Sequence, residues 1–195
     1  MPALRRKIKI VLTGAPSSGK STTLLELQKH FGEQVVVVPE SAVVLLSGGF
    51  PAPAHEDLEQ IRAFQNAILS VQENLESIFS QKSDASVMIM DRAKLDGAAF
   101  WPPGPDDYIK NFDIDLQGEL SAYDHVLFLE IPKKEYFGGL QKTRFHNYDQ
   151  SVASGKVLEQ VWSQHPHFVK IPAHPDFNVK LQNVIQVITS IISHS

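Results

Sequence analysis

Gly14-Ala15-Pro16-Ser17-Ser18-Gly19-Lys20-Ser21 stands directly after the apolar run Ile8-Lys9-Ile10-Val11-Leu12. The segment Ser21 to Phe31 that follows carries Leu24, Leu25, Leu27 and Phe31 at helical spacing. Strand, glycine-rich loop and helix, in that order, is the setting in which the pattern G-x-x-x-x-G-K-[ST] forms a phosphate-binding P-loop. Gly14 and Gly19 let the backbone curl so that successive N–H groups face an anion. Lys20 brings a mobile point charge for the β- and γ-phosphates. The Ser21 hydroxyl is a hard oxygen ligand suited to Mg²⁺. The helix adds the positive end of its dipole, and Thr22 completes the nucleotide-binding set. The alternative, a glycine-rich turn with a surface lysine, leaves the flanking strand and helix unexplained.

Outward from the loop, strand and helix patterns alternate, which predicts an α/β fold with a mostly parallel sheet. Strands are expected at Ile8–Thr13, Val35–Val38, Val87–Met90, His125–Glu130 and Phe168–Ile171. Helices are expected at Lys20–Phe31, Ser41–Leu46 and Glu56–Gln81, with one or two short ones between Asp106 and Tyr123. The stretch from Lys133 to Gln164 reads as helical with a break near Asn147, and a last helix covers Phe177–Ile192. In the long helix, Leu58, Ile61, Phe64, Ile68, Val71, Leu75 and Ile78 form one apolar stripe. Phe100 to Pro105 reads as a stiff aromatic loop.

The chain has 195 residues, enough for one domain over residues 1–195 with a full-sized core. Its net charge of −4 disfavours a general nucleic-acid surface. The absence of cysteine excludes disulfides, thiolate metal sites and a cysteine nucleophile, and suits a cytoplasmic protein. No stretch is long and apolar enough for a membrane span. Arg5, Arg6 and Lys7 do not make a cleavable leader, because cleavage after them would remove the first strand. Eight histidines lack the helical H-x-x-x-H spacing of a zinc site.

In parallel α/β sheets ligands sit outside the carboxyl ends of the strands. Asp91 ends the run Val-Met-Ile-Met as a Walker B carboxylate does, beside Ser21, to hold Mg²⁺; capping the next helix is its other reading. Glu40, at the end of the second strand, takes a proton from an acceptor hydroxyl, orients a metal-bound water, or caps the helix at Ser41. Arg92 binds the acceptor or offsets charge on a transferring phosphoryl group; a surface salt bridge is the plainer reading. Lys133, Lys134, Lys142 and Arg144 form either a solvated face or a segment that closes over the phosphates, with Arg144 the best donor for that task.

Further motifs occur in order: Val38-Pro39-Glu40-Ser41, Ala63-Phe64-Gln65, Asp91-Arg92-x-x-x-Asp96 and Tyr123-Asp124-His125-Val126. With the P-loop, they resemble the NadR-type AAA domain family of P-loop proteins, similar to ribosylnicotinamide kinase domains and to nucleoside kinases. The resemblance runs from Ile8 to Lys180. It implies a three-layer fold whose parallel five-stranded sheet has the order 2-3-1-4-5, with Mg²⁺-bound ATP or GTP on the loop. It implies further that Glu40 is the base or acceptor anchor and that Phe64 and Gln65 hold a nucleoside base. Trp101 would line the acceptor pocket, and Arg144 would be the lid arginine. Phe64 also fits a core position on its stripe.

Two functions follow from these residues. The first is a Mg²⁺-dependent kinase acting on a small nucleoside-like acceptor, with Lys20, Glu40, Asp91, Arg92 and Arg144 as its catalytic set. The second is a regulatory NTPase without a small-molecule acceptor. The chain has no Asn-Lys-x-Asp guanine-reading motif. Its third strand ends Asp91-Arg-Ala-Lys rather than Asp-x-x-Gly, which argues against a Ras-like switch.

Overall fold

The computed structural model describes residues 6–54, 56–136 and 147–194. Strand β1 (Ile8–Gly14) leads through the P-loop into α1 (Lys20–Phe31), then β2 (Val35–Val38), α2 (Ser41–Ser47) and the long α3 (Leu58–Lys82). Strand β3 (Val87–Asp91) runs into a 3₁₀ segment, Lys94–Phe100, followed by α4 (Pro105–Asn111) and α5 (Leu116–Ser121). Then come β4 (His125–Leu129), α6 (Tyr148–Trp162), β5 (Phe168–Ile171) and α7 (Phe177–Ser193). The sheet is parallel throughout, in the order β2-β3-β1-β4-β5.

Continuous apolar runs form the central strands because both sheet faces are covered. Along β1 the side chains alternate: Ile10 and Leu12 face α1 and α7, whereas Val11 faces the layer of α3 to α6. Each face has its own core. One packs Leu24 and Leu27 of α1 and Val184, Ile185 and Ile188 of α7 on Ile10, Leu12, Ile89 and Leu127. The other packs Tyr108, Leu158 and Trp162 on Val11, Met88, Met90 and Val126.

Capping chemistry sets the helix starts. Asp57 accepts hydrogen bonds from the Glu59 and Gln60 amides, so α3 begins at Leu58, two residues later than its sequence pattern suggests. Asn147 and Gln150 form a reciprocal capping box, which starts α6 at Tyr148; residues 137–146 of the expected helical stretch lie outside the described residues. The expected aromatic loop splits: Phe100 closes the 3₁₀ segment and Pro105 opens α4.

The apolar stripe expected on α3 is buried only in part: Ile61 lies in the core and Leu75 packs against it. Leu58 and Ile78 are 36% and 47% exposed, and the buried row is Ile61, Gln65, Gln72 and Glu76. Polar groups are inside because partners wait for them there. Ser41 donates its hydroxyl proton to Gln72 Oε1 at 2.6 Å, and Gln72 Nε2 donates to Glu76 Oε1 at 3.0 Å. Tyr123 donates to the same Glu76 oxygen at 2.9 Å, and Lys9 reaches Oε2 at 3.3 Å. Gln72 and Glu76 are tolerated inside because these partners satisfy them.

Leu127 is fully buried and Leu25 is 53% exposed. Leu127→Ala is expected to lose about 2–5 kcal/mol and Leu25→Ala less than about 0.5 kcal/mol, measured by urea unfolding.

Candidate functional site

Helix α1, after β1, packs on one face of the sheet, and α4 and α5, after β3, lie on the other, so the loops after these paired strands part and leave a crevice between them. Leu12 of β1 lies in register with Asp91 of β3, which sets the P-loop beside Asp91-Arg92.

Backbone requirements explain the loop's glycines. Gly14 has φ +142°, and a Cβ there would strike the Leu129 carbonyl oxygen of β4. Gly19 has φ +94° and is the N-cap of α1. Ser17 also takes a positive φ, +65°. Across the loop, α6 approaches closely: a Cβ on Gly155 would lie 3.2 Å from Ala15 Cβ. A groove of about 380 Å³ opens beside Ala15, with Phe128, Ile131, Lys133 and Pro175 among its walls.

Lys20 is buried, and its ammonium donates to the carbonyls of Gly14 at 3.0 Å and Ala15 at 3.2 Å. Burial, then the Arg92 guanidinium, push its pKa down to about 8 against the pull of Asp91, Glu40 and Asp96. Asp91 moves the other way. Burial, then the Glu40 carboxylate, raise it to about 6, against Lys20 and Arg92. Its buried Oδ1 has no hydrogen-bond partner. Such an orphaned carboxylate oxygen suits a hard cation, and Ser21 presents its hydroxyl to solvent in the first turn of α1. These two residues fit Mg²⁺. Among the described residues no group of three or more histidines, aspartates or glutamates could hold a metal.

Glu40 occupies the N-cap of α2 without capping it. Its carboxylate turns to Arg92 instead, with Oε1 3.3 Å from Nε in an off-axis ion pair, and stays 24% exposed. Arg92 is no surface residue. It is buried, with φ +68°, a left-handed conformation that costs an arginine about 1 kcal/mol or more. Several contacts hold it there. Its amide donates to the Leu12 carbonyl at 3.2 Å, and its Nη1 donates to the Gly14 carbonyl at 3.2 Å and to Asp96 Oδ1 at 2.9 Å. Its guanidinium lies 5.2 Å from the Phe100 ring centroid.

Asp96 is a site residue that sequence reasoning quoted in a motif but gave no role. It is 2% exposed and accepts four hydrogen bonds. Thr13 Oγ1 and Arg92 Nη1 donate to one oxygen, and the Ala93 amide and Trp162 Nε1 donate to the other. Its four-residue spacing from Arg92 was the available signal.

The residues expected on the acceptor side are spread unevenly. Phe64 belongs to neither core; half-buried, it packs on Phe50 with centroids 5.7 Å apart. Gln65 is 3% exposed, and its Oε1 is buried without a partner. Trp101 is 3% exposed and packs in the core, edge-on to Phe112 at 5.1 Å. Its indole N–H goes to Asp107 at 2.6 Å, and the Arg62 guanidinium lies 5.7 Å from its ring centroid. Trp101 therefore backs Arg62 rather than presenting a free face. Lys142 and Arg144 lie outside the described residues, and Lys134 packs on the Tyr148 ring at 5.9 Å.

A parallel sheet in this order, with a P-loop between β1 and α1, defines a P-loop nucleotide-binding domain of nucleoside-kinase-like fold. The chain matches the AAA domain family over residues 9–177 and belongs to it. Deoxyadenosine kinase from M. mycoides with bound dATP has the same fold, with TM-score 0.63 and 16% identity over 93% of this chain and 100% of that one. The same kinase with the products dCMP and dCDP gives TM-score 0.63 and 17% identity over 94% and 100%. No curated protein matches the sequence. Among the described residues no helix is long and apolar enough to cross a membrane.

Asp96→Asn removes the charge that Arg92 depends on, and urea unfolding should show a loss of about 3 kcal/mol. In the metal-free protein the Asp91 carboxyl should titrate near pH 6 when followed by carboxyl ¹³C NMR. Glu40→Gln removes a neighbouring negative charge, favours the ionised form and moves that titration down.

Proposed function

We propose that the protein is a Mg²⁺-dependent kinase that transfers the γ-phosphate of ATP or GTP to a hydroxyl of a small nucleoside-like acceptor. The observation that carries this reading is the Glu40 carboxylate. It leaves its helix N-cap free and turns into the crevice toward Arg92, in electrostatic contact with Asp91 and Lys20. A residue needed only for capping would not do so.

Gly14 to Thr22 supply the donor side, with loop amides and Lys20 on the phosphates. Lys20 exchanges its bonds to the Gly14 and Ala15 carbonyls for phosphate oxygens. The groove beside Ala15 offers room for the rest of the nucleotide. Ser21 and Asp91 hold Mg²⁺, which offsets charge on the phosphate oxygens when bound.

Glu40 accepts the proton of the acceptor hydroxyl as its oxygen bonds to the γ-phosphorus. The bond to the β-phosphate oxygen breaks, and the nucleoside diphosphate leaves with that electron pair. Arg92 keeps Glu40 in place and adds positive charge beside the loop. Gln65, with its buried unpartnered Oε1, takes a donor group of the acceptor, and Phe64 gives it an apolar surface. Trp101 acts through Arg62. Arg144 closes over the phosphates from the segment after β4.

The test is incubation with Mg²⁺-ATP or Mg²⁺-GTP and a panel of nucleosides including nicotinamide riboside. Phosphorylated acceptor should form, and Glu40→Gln should lower its rate by about 10²–10⁴ with nucleotide binding intact. Nucleotide binding without transfer to any acceptor would instead establish the regulatory NTPase.

A further inference from the structure

Lys180 breaks the pattern of its helix. The buried face of α7 carries Leu181, Val184, Ile185 and Ile188, with Phe177 at its start. Lys180, three residues after Phe177 and four before Val184, falls in that apolar register. It is 3% exposed. A lysine there would ordinarily be expelled or ion-paired, because burying an ammonium is costly. Among the described residues it makes no salt bridge. The nearby Glu130 carboxylate is taken up by Lys170 and the Ala173 amide.

The ammonium is spent on two main-chain carbonyls from separate elements. Nζ donates to the Ser18 carbonyl of the P-loop at 2.8 Å and to the Glu130 carbonyl at the end of β4 at 2.6 Å. Phe177, one turn earlier on the same face, lies under the next loop residue; a Cβ on Gly19 would come within 3.1 Å of its ring. Thus α7 supports two successive residues of the loop from behind.

The peptide group gives this contact its consequence. In a planar trans peptide the C=O and the following N–H point in opposite directions. We propose that Lys180 is a positioning residue for nucleotide binding: by holding the Ser18 carbonyl toward α7, it turns the Gly19 amide toward the phosphates. It also sets a fixed positive charge behind the loop, in an environment where little water screens it. Burial lowers its pKa to about 8 and Glu130 opposes that shift, so it is mostly protonated at neutral pH. Lys180 lies three residues beyond the stretch matched to the family and has no part in the transfer steps described above.

This assignment rests on nucleotide binding at the P-loop, so the experiment separates the two. ATP and GTP dissociation constants are measured by calorimetry for the wild type, Lys20→Met, Lys180→Met and Lys180→Gln, alongside melting temperatures without nucleotide. Lys180→Met keeps the side-chain shape but removes the donor of both bonds; it should weaken binding about tenfold, with the nucleotide-free protein still folded at the measuring temperature. Lys180→Gln keeps a neutral donor and should fall in between; it also serves if the methionine variant does not fold. Wild-type affinity in both Lys180 variants, with Lys20→Met defective, overturns the positioning role and leaves the P-loop reading standing. A lowered melting temperature with unchanged affinity also overturns it, since that marks a structural contact only. If the wild type binds neither nucleotide, the P-loop reading falls and the assignment with it.

Discussion

The Asp96 carboxylate joins three parts of the fold that are distant in sequence. Its four donors come from Thr13 at the end of β1, Arg92 and Ala93 after β3, and Trp162 at the end of α6. A buried carboxylate is tolerated only with such a complement of donors, and removing any one of them leaves the rest strained. The left-handed backbone of Arg92 is sustained by this arrangement. Glu40 follows from Arg92, since an ion pair inside the crevice outcompetes the helix cap it would otherwise make. The placement of Arg92 and Glu40 beside the P-loop is thus set by a buried residue.

The crevice itself is electrostatically unsettled. Lys20 and Arg92 share it with Asp91, Glu40 and Asp96. Lys20 is pushed toward neutrality and Asp91 toward protonation, because each loses hydration and neither gains a full partner. Lys20 satisfies itself on the carbonyls of its own loop, and one Asp91 oxygen goes without a donor. On the proposed function, a polyphosphate would supply the negative charge that Lys20 lacks, and a divalent cation the positive charge that Asp91 lacks. Burial and incomplete pairing account for both shifts.

Much of the fold was legible because it depends on neighbours in sequence. The five strands stand out as apolar runs and the P-loop as glycines at fixed spacing. The long helix α3 was legible in extent but only partly in orientation: Ile61 and Leu75 face the core as expected, Leu58 and Ile78 do not. An apolar stripe predicts burial only where the facing surface is apolar, and here it carries the Ser41 hydroxyl, the Tyr123 hydroxyl and Lys9. The resemblance implied Trp101 as a pocket residue; its packing against Phe112 and its indole bond to Asp107 come from tertiary structure. Lys180 left a clear mark, a lysine in the register of an apolar face, that is easily passed over as a helix-surface charge.

By itself, the sequence determined that this chain holds a phosphate-binding loop between a buried strand and a helix, in a parallel α/β sheet. Those features rest on backbone conformations and side-chain periods that act over a few residues. Only the tertiary structure decided which of several readings each charged residue takes. Glu40 pairs rather than caps, Arg92 is buried rather than exposed, and Asp96 gathers donors from three elements. Lys180 reaches the loop from 162 positions away. Such choices depend on which donors and acceptors meet once water is excluded, and that is settled by packing rather than by sequence spacing.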